Sequence, residues 1–143
     1  MTSLATEQPS LRQRFAEFLS ADLQAVNQVL DEQLQSAHRL VSDLSDHVWR
    51  CRGKQIRPGL LMLFRRLMLP LNVDQISSFE NAGRLAAAVE MIHMATLVHD
   101  DLIDQSDMRR HMATVHSRWD AETAVLMGDY LFSRAFHLSA PVI

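Results

Sequence analysis

The stretch from Leu85 to Val98 is the most apolar in the chain, and Glu90 and His93 interrupt it. It is shorter than the roughly 20 apolar residues that a bilayer-spanning helix needs, and it carries two polar side chains. It therefore reads as a helix buried among other helices, and the rest of the chain must supply those neighbours. The composition agrees. Only four Gly and four Pro occur in 143 residues, and Leu, Ala, Met and Gln outnumber the β-branched types. That balance favours helix and leaves little material for hairpins. The length suits one domain with a modest core, residues 1–143, with residues 1–9 expected to be disordered. A hydrophobic share of 48% excludes a disordered tail, and a net charge of −3 argues against non-specific nucleic-acid binding. The single cysteine, Cys51, rules out a disulfide framework and fits a reducing compartment. Met1 to Gln8 has neither the basic region nor the apolar block of a signal peptide. The expectation is a soluble, cytoplasmic, all-α domain.

Capping and periodicity place the helices. Ser10 is a candidate N-cap for a helix to about Gln35, with Leu11, Phe15, Phe18, Leu19, Leu23, Val26 and Leu30 on one side. A second amphipathic segment covers Ala37 to Arg50. Gly53 then loosens the chain, and Pro58 suits the first turn of a helix that ends before Pro70. Asp74 or Ser77-Ser78 can start a long helix running to Asp104. Gln105 to Ala121 reads as a polar loop with some helical turn, and Ala121 to about Leu138 as a final apolar helix.

The long helix ends in the acidic run Asp100-Asp101-Leu102-Ile103-Asp104. At roughly 100° per residue, His93, Asp100 and Asp104 fall within about 20° of one line, while Asp101 points about 100° away. Carboxylates crowded at the negative end of a helix dipole repel one another and the helix, and a bound cation removes both penalties. One-turn spacing without a nearby cysteine suits Mg²⁺, which bridges to substrate phosphates. Arg109-Arg110 follow five residues on, and Lys54 and Arg57 lie upstream. Such cations can clamp a diphosphate whose remaining oxygens reach the metal.

In this order the residues resemble the trans-polyprenyl diphosphate synthases of the polyprenyl synthetase family. The family's first aspartate-rich motif, Asp-Asp-x-x-Asp followed by Arg-Arg, is matched by Asp100, Asp101, Asp104, Arg109 and Arg110. Its Gly-Gly-Lys-x-x-Arg-Pro is matched by Gly53, Lys54, Arg57 and Pro58, and Ala86 to His93 is similar to its helix leading into the acidic motif. Thr114-Val115-His116 and Ala124 to Phe132 continue the likeness. The resemblance implies the N-terminal portion of the isoprenoid synthase helical bundle. It also implies an enzyme that condenses an allylic diphosphate with isopentenyl diphosphate to a polyprenyl diphosphate. Asp100 and Asp104 would hold Mg²⁺, with Asp101 a further candidate ligand. Arg109 would grip the allylic diphosphate, and Lys54, Arg57, His93 and Arg110 would bind isopentenyl diphosphate. The small Ala95 and Thr96, one turn before Asp100, imply a long-chain product. Homodimerisation is implied as well.

The departures are Arg52 for the first Gly, Gln55 where a basic residue is frequent, His111 where Gly is usual, Ala113 for Pro, and Trp119-Asp120 for an aromatic-Gly pair. The family's second aspartate-rich motif has no counterpart, since only Asp120 and Asp129 follow Asp107. The expectation is a partial domain that needs a complementary fragment or subunit, or else an inactive, non-catalytic one. A rival enzyme is a His-Asp metal phosphohydrolase built on His99-Asp100 with His38 or His47, and a rival of another kind is a helical interaction module. A Zn²⁺ pair of His93 and His99 is disfavoured, because six residues put them on different faces. Met62, Met68, Met91 and Met94 read as core filler, Arg65-Arg66 as a solvated helix edge, and His116 and Trp119 as structural.

Overall fold

The computed structural model describes residues 10–68 and 75–142, so residues 1–9, Pro70 and Asp74 lie outside the described residues. Among the described residues seven helices run in the order α1 (Leu11–Phe18), α2 (Ser20–Leu34), α3 (Arg39–Arg50), α4 (Ile56–Met68), α5 (Gln75–Ile103), α6 (Val115–Arg118) and α7 (Ala121–Ser139). Between α5 and α6 lies a small antiparallel hairpin of β1 (Met108–Arg109) and β2 (Met112–Ala113). The architecture is all-α, and among the described residues no helix is long and apolar enough to cross a membrane.

Helix α5 is the axis on which α2, α4, α6 and α7 pack. Its apolar stretch is buried as expected, and Ala86, Ala87, Ala88 and Ala95 keep that surface low enough for close approach. The α5–α7 crossing is tighter still. A Cβ on Gly128 would overlap the His99 ring, whose Nε2 donates to the Val125 carbonyl at 3.1 Å. Met62, Met91 and Met94 fill the core, whereas Met68 is exposed.

The expected first helix is two. Ser10 caps α1 in a capping box with Gln13, but the chain bends at Leu19 (φ −100°, ψ 5°). The bend buries Leu19, Val26 and Leu30 while leaving Leu11, Phe15 and Phe18 exposed, so the predicted single face is divided. Arg66 is not a free surface cation. Its Nε and Nη2 donate to Asp22 at 2.6 and 2.9 Å, and Asp22 is only 1% exposed. This bidentate pair ties α4 to α2, and burial of Asp22 makes Arg66 obligatory rather than decorative.

The turns carry the other surprises. None of the described glycines has positive φ, whereas Gln55, Gln105, Arg110 and His111 do. Gln55, not Gly53, makes the turn into α4, and its side chain is held by Asn27 on α2. Helix α5 ends in a Schellman motif. Gln105 N–H donates to Leu102 O (3.2 Å) and Ser106 N–H to Asp101 O (2.9 Å), with Gln105 left-handed where Gly is the usual residue. The chain reverses directly after Asp104, so Asp107 does not extend the acidic face of the helix. The polar loop instead folds into the hairpin, whose tip residues Arg110 and His111 both have positive φ, as a two-residue type I′ turn requires.

Candidate functional site

Pro58 sits in the first turn of α4, and the preceding turn carries Lys54 out of α3's end. Lys54 and Arg57 from this corner, Glu90 and His93 from α5, and Arg110 from the hairpin tip line one open pocket of about 210 Å³. The four predicted binders of one diphosphate thus come from three segments and meet in one place. Gly53 forms the floor. A Cβ there would stand 3.0 Å from Arg110 Nη2, and Arg110 Nη1 also reaches the Arg52 carbonyl at 3.4 Å. A side chain at Gly53 would press on the Arg110 guanidinium, so glycine leaves that approach open.

Asp100 and Asp104 are exposed at the end of α5, still joined by the helical bond from Asp104 N–H to Asp100 O (2.8 Å). Asp101 faces inward and is 7% exposed. Arg109 Nε lies 2.9 and 2.8 Å from its two oxygens, and Nη2 lies 2.8 Å from Oδ1. The pair fastens β1 to α5, and the bond to Asp101 holds the Arg109 guanidinium more firmly protonated than usual. Asp101 and Arg109 are thus each other's partners, while Asp100 and Asp104 keep their oxygens open among the described residues. Among the described residues no group of three His, Cys, Asp or Glu gathers to hold a metal alone. Two open carboxylates one turn apart still fit an ion that keeps waters and takes the rest of its oxygens from a phosphate.

His93 is where the basic and acidic halves meet. Burial, and then Arg57, Arg109 and Arg110, push its pKa below the usual 6.5, with Asp100 opposing them. A neutral imidazole can donate to an anion without adding to the crowd of cations. Glu90, one turn earlier, is 2% exposed, and burial raises its pKa against the pull of Arg57 and Arg52. The sequence offered Glu90 only as an interruption of an apolar run. Its spacing of three from His93 was the available signal that it shares the pocket wall. Cys51 lies behind this wall beside a cavity of about 30 Å³, and burial raises its thiol pKa, which makes it a poor nucleophile.

The rival phosphohydrolase set does not assemble. His99 is spent on the Val125 carbonyl and His47 on Ala113 O and Arg118, while His38 is exposed at the start of α3. His116 is structural, with Nδ1 3.1 Å from Thr114 Oγ1, and Trp119 packs edge-on against His47.

The chain is similar to known proteins in sequence and in fold. Residues 38–142 match the polyprenyl synthetase family. An all-trans-nonaprenyl-diphosphate synthase (geranyl-diphosphate specific) of Rhodobacter capsulatus is 39% identical over 120 residues, covering 84% of this chain and 35% of that protein. Heptaprenyl diphosphate synthase component 2 of Geobacillus stearothermophilus is 38% identical over 123 residues, covering 86% and 36%. The crystal structure of a polyprenyl synthase from Caulobacter crescentus CB15, complexed with calcium and isoprenyl diphosphate, superposes with a TM-score of 0.79. It is 36% identical and covers 90% of this chain and 37% of that one. The chain spans about a third of the length of the curated relatives it matches.

Proposed function

The chain belongs to the polyprenyl synthetase family, and from that premise we propose that it forms the diphosphate-binding part of a trans-prenyltransferase. The reaction joins an allylic diphosphate to isopentenyl diphosphate and lengthens a polyprenyl chain. The observation that carries this reading is the convergence of Lys54, Arg57, His93 and Arg110 on one pocket beside the open carboxylates of Asp100 and Asp104. Three cations and a neutral donor suit the charge of a diphosphate.

In this reading the pocket holds isopentenyl diphosphate. Asp100 and Asp104 would hold Mg²⁺, with Asp101 withdrawn to fix Arg109 beside the allylic diphosphate. A metal ion held there would supply charge neutralisation for the pyrophosphate leaving group. The residues supply placement and charge: the basic pocket aims the isopentenyl double bond, and Arg109 faces the leaving group. The double bond attacks the allylic carbon as pyrophosphate leaves, and loss of a proton restores the alkene. No residue forms a covalent bond to substrate.

A long-chain product fits relatives named for nonaprenyl and heptaprenyl diphosphates. Thr96 is half-buried on the acidic side of α5, with Oγ1 donating to His93 O, whereas Ala95 is fully buried in the core. Thr96 is thus the more accessible of the two candidates for limiting tail length. Further polypeptide, on the same chain or another, is proposed to form the opposite wall. A subunit partner is in keeping with the relative named component 2, and a homodimer and a cytoplasmic location complete the proposal. The test is transfer of labelled isopentenyl diphosphate to geranyl diphosphate with Mg²⁺, by this chain alone and with a candidate complementary half. Label entering product through the combination, and lost with Asp100→Ala and Asp104→Ala, supports the reading. A combination that turns over equally well with both aspartates removed contradicts it.

A further inference from the structure

His47 is 4% exposed on α3, outside the pocket. Its Nε2 lies 2.7 Å from the Ala113 carbonyl of β2, and its Nδ1 lies 3.0 Å from Arg118 Nη1. A carbonyl oxygen can only accept, so Nε2 carries the hydrogen. A guanidinium can only donate, so Nδ1 offers its lone pair. The contacts define a neutral imidazole in one tautomer with both nitrogens satisfied. Trp119 meets the ring edge-on at 5.1 Å and 75°, and Arg118 lies over Trp119 at 4.7 Å, which leaves the ring little freedom to turn.

What His47 holds matters more than its burial. The hairpin has two residues per strand, and its tip places Arg110 (φ 51°) and His111 (φ 66°) in a conformation that side chains disfavour. A left-handed non-glycine residue persists only where its surroundings enforce it. Three contacts do so here. Thr114 N–H donates to Asp107 O (2.9 Å) and closes the base, Asp101 pins Arg109 on β1, and His47 pins Ala113 on β2. Between the two pinned strands stands Arg110, over Gly53 and in the pocket.

We propose that His47 is a positioning residue for the diphosphate site, holding the strained hairpin so that Arg109 and Arg110 stay aimed at their anions. The proposal rests on the diphosphate reading above and extends it to a residue that touches no substrate.

The full 143-residue chain tests it by imidazole ¹⁵N NMR, amide hydrogen exchange in the hairpin and titration with inorganic pyrophosphate. Wild type should show a neutral Nε2–H His47. His47→Phe, which keeps a ring and loses both bonds, should speed exchange at Met112 and Thr114 and weaken pyrophosphate by about tenfold. His47→Gln, whose amide nitrogen can reach the Nε2 position, should retain more affinity than His47→Asn. His111→Gly, which relaxes the turn, should restore binding to His47→Phe. If the Phe variant does not fold, the Gln and Asn pair carries the comparison. An Nδ1–H or charged imidazole overturns the proposal, as does undiminished pyrophosphate affinity in His47→Phe where Arg110→Ala loses it. Absence of any pyrophosphate binding by wild type overturns the site reading itself. Hairpin exchange would then show His47 to be a structural contact only.

Discussion

Glu90 and His93 stand one turn apart on α5 with opposite electrostatic problems. Burial pushes the Glu90 carboxyl above its ordinary 4.5, so the folded state keeps a proton that the unfolded chain releases. Its contribution to stability is full below about pH 4.5 and is lost as pH rises through the elevated value. Burial and the nearby arginines push His93 below 6.5, so the unfolded chain takes up a proton first. Its contribution is full above about pH 6.5 and is lost as pH falls from there towards the depressed value. Glu90→Gln keeps the shape and removes only the first effect. Urea midpoints across pH 4 to 8 should lose their decline above pH 4.5 and retain the His93 limb. A profile unchanged by the substitution would show that Glu90 does not titrate in the wall of the pocket. Diphosphate binding should draw His93 towards its charged form, since an anion repays what the neighbouring arginines cost.

At the scale of elements, the crossing of α5 and α7 depends on an absent side chain. Gly128→Ala puts a methyl into the His99 ring and should destabilise by about 3 kcal/mol. Adding His99→Ala makes room, so the double variant should be more stable than Gly128→Ala alone by chemical denaturation. Strict additivity would mean that the two residues do not meet. This crossing also marks how far the sequence can be read. The long helix, the Ser10 cap, Pro58 in its first turn and the final helix were all legible, because each follows from local periodicity or capping. The turns were not. Gln55, Gln105, Arg110 and His111 hold positive φ without being glycine, so the composition gave no sign of the Schellman end or of the hairpin. The bend at Leu19 was hidden for a different reason, since tertiary burial of one side chain overrode a continuous helical pattern. Of the residues proposed for the site, Lys54, Arg57, His93 and Arg110 stand out in the sequence through their charge and motif spacing, and the structure brings them to one pocket. Glu90 reads only as an exception in an apolar run, and His47 only as a candidate ligand of a different enzyme class, until their neighbours are known.

The whole molecule leaves much apolar surface open. Ile56, Leu60, Phe64 and Leu67 form one exposed line along α4, and Val125, Leu126 and Phe136 are exposed on α7. Patches of this kind drive association in water. Sedimentation of the chain should show concentration-dependent self-association, reduced by Leu60→Gln with Phe64→Gln, and a monomer at all concentrations would contradict this. Calorimetric titration of the full chain with isopentenyl diphosphate probes the pocket where α4, α5 and the hairpin meet. A diphosphate site there should give saturable binding that Arg57→Ala weakens by about tenfold or more, while Arg39→Ala, on the exposed face of α3, leaves it unchanged. Binding that is indifferent to Arg57, or that falls equally with Arg39, would contradict it.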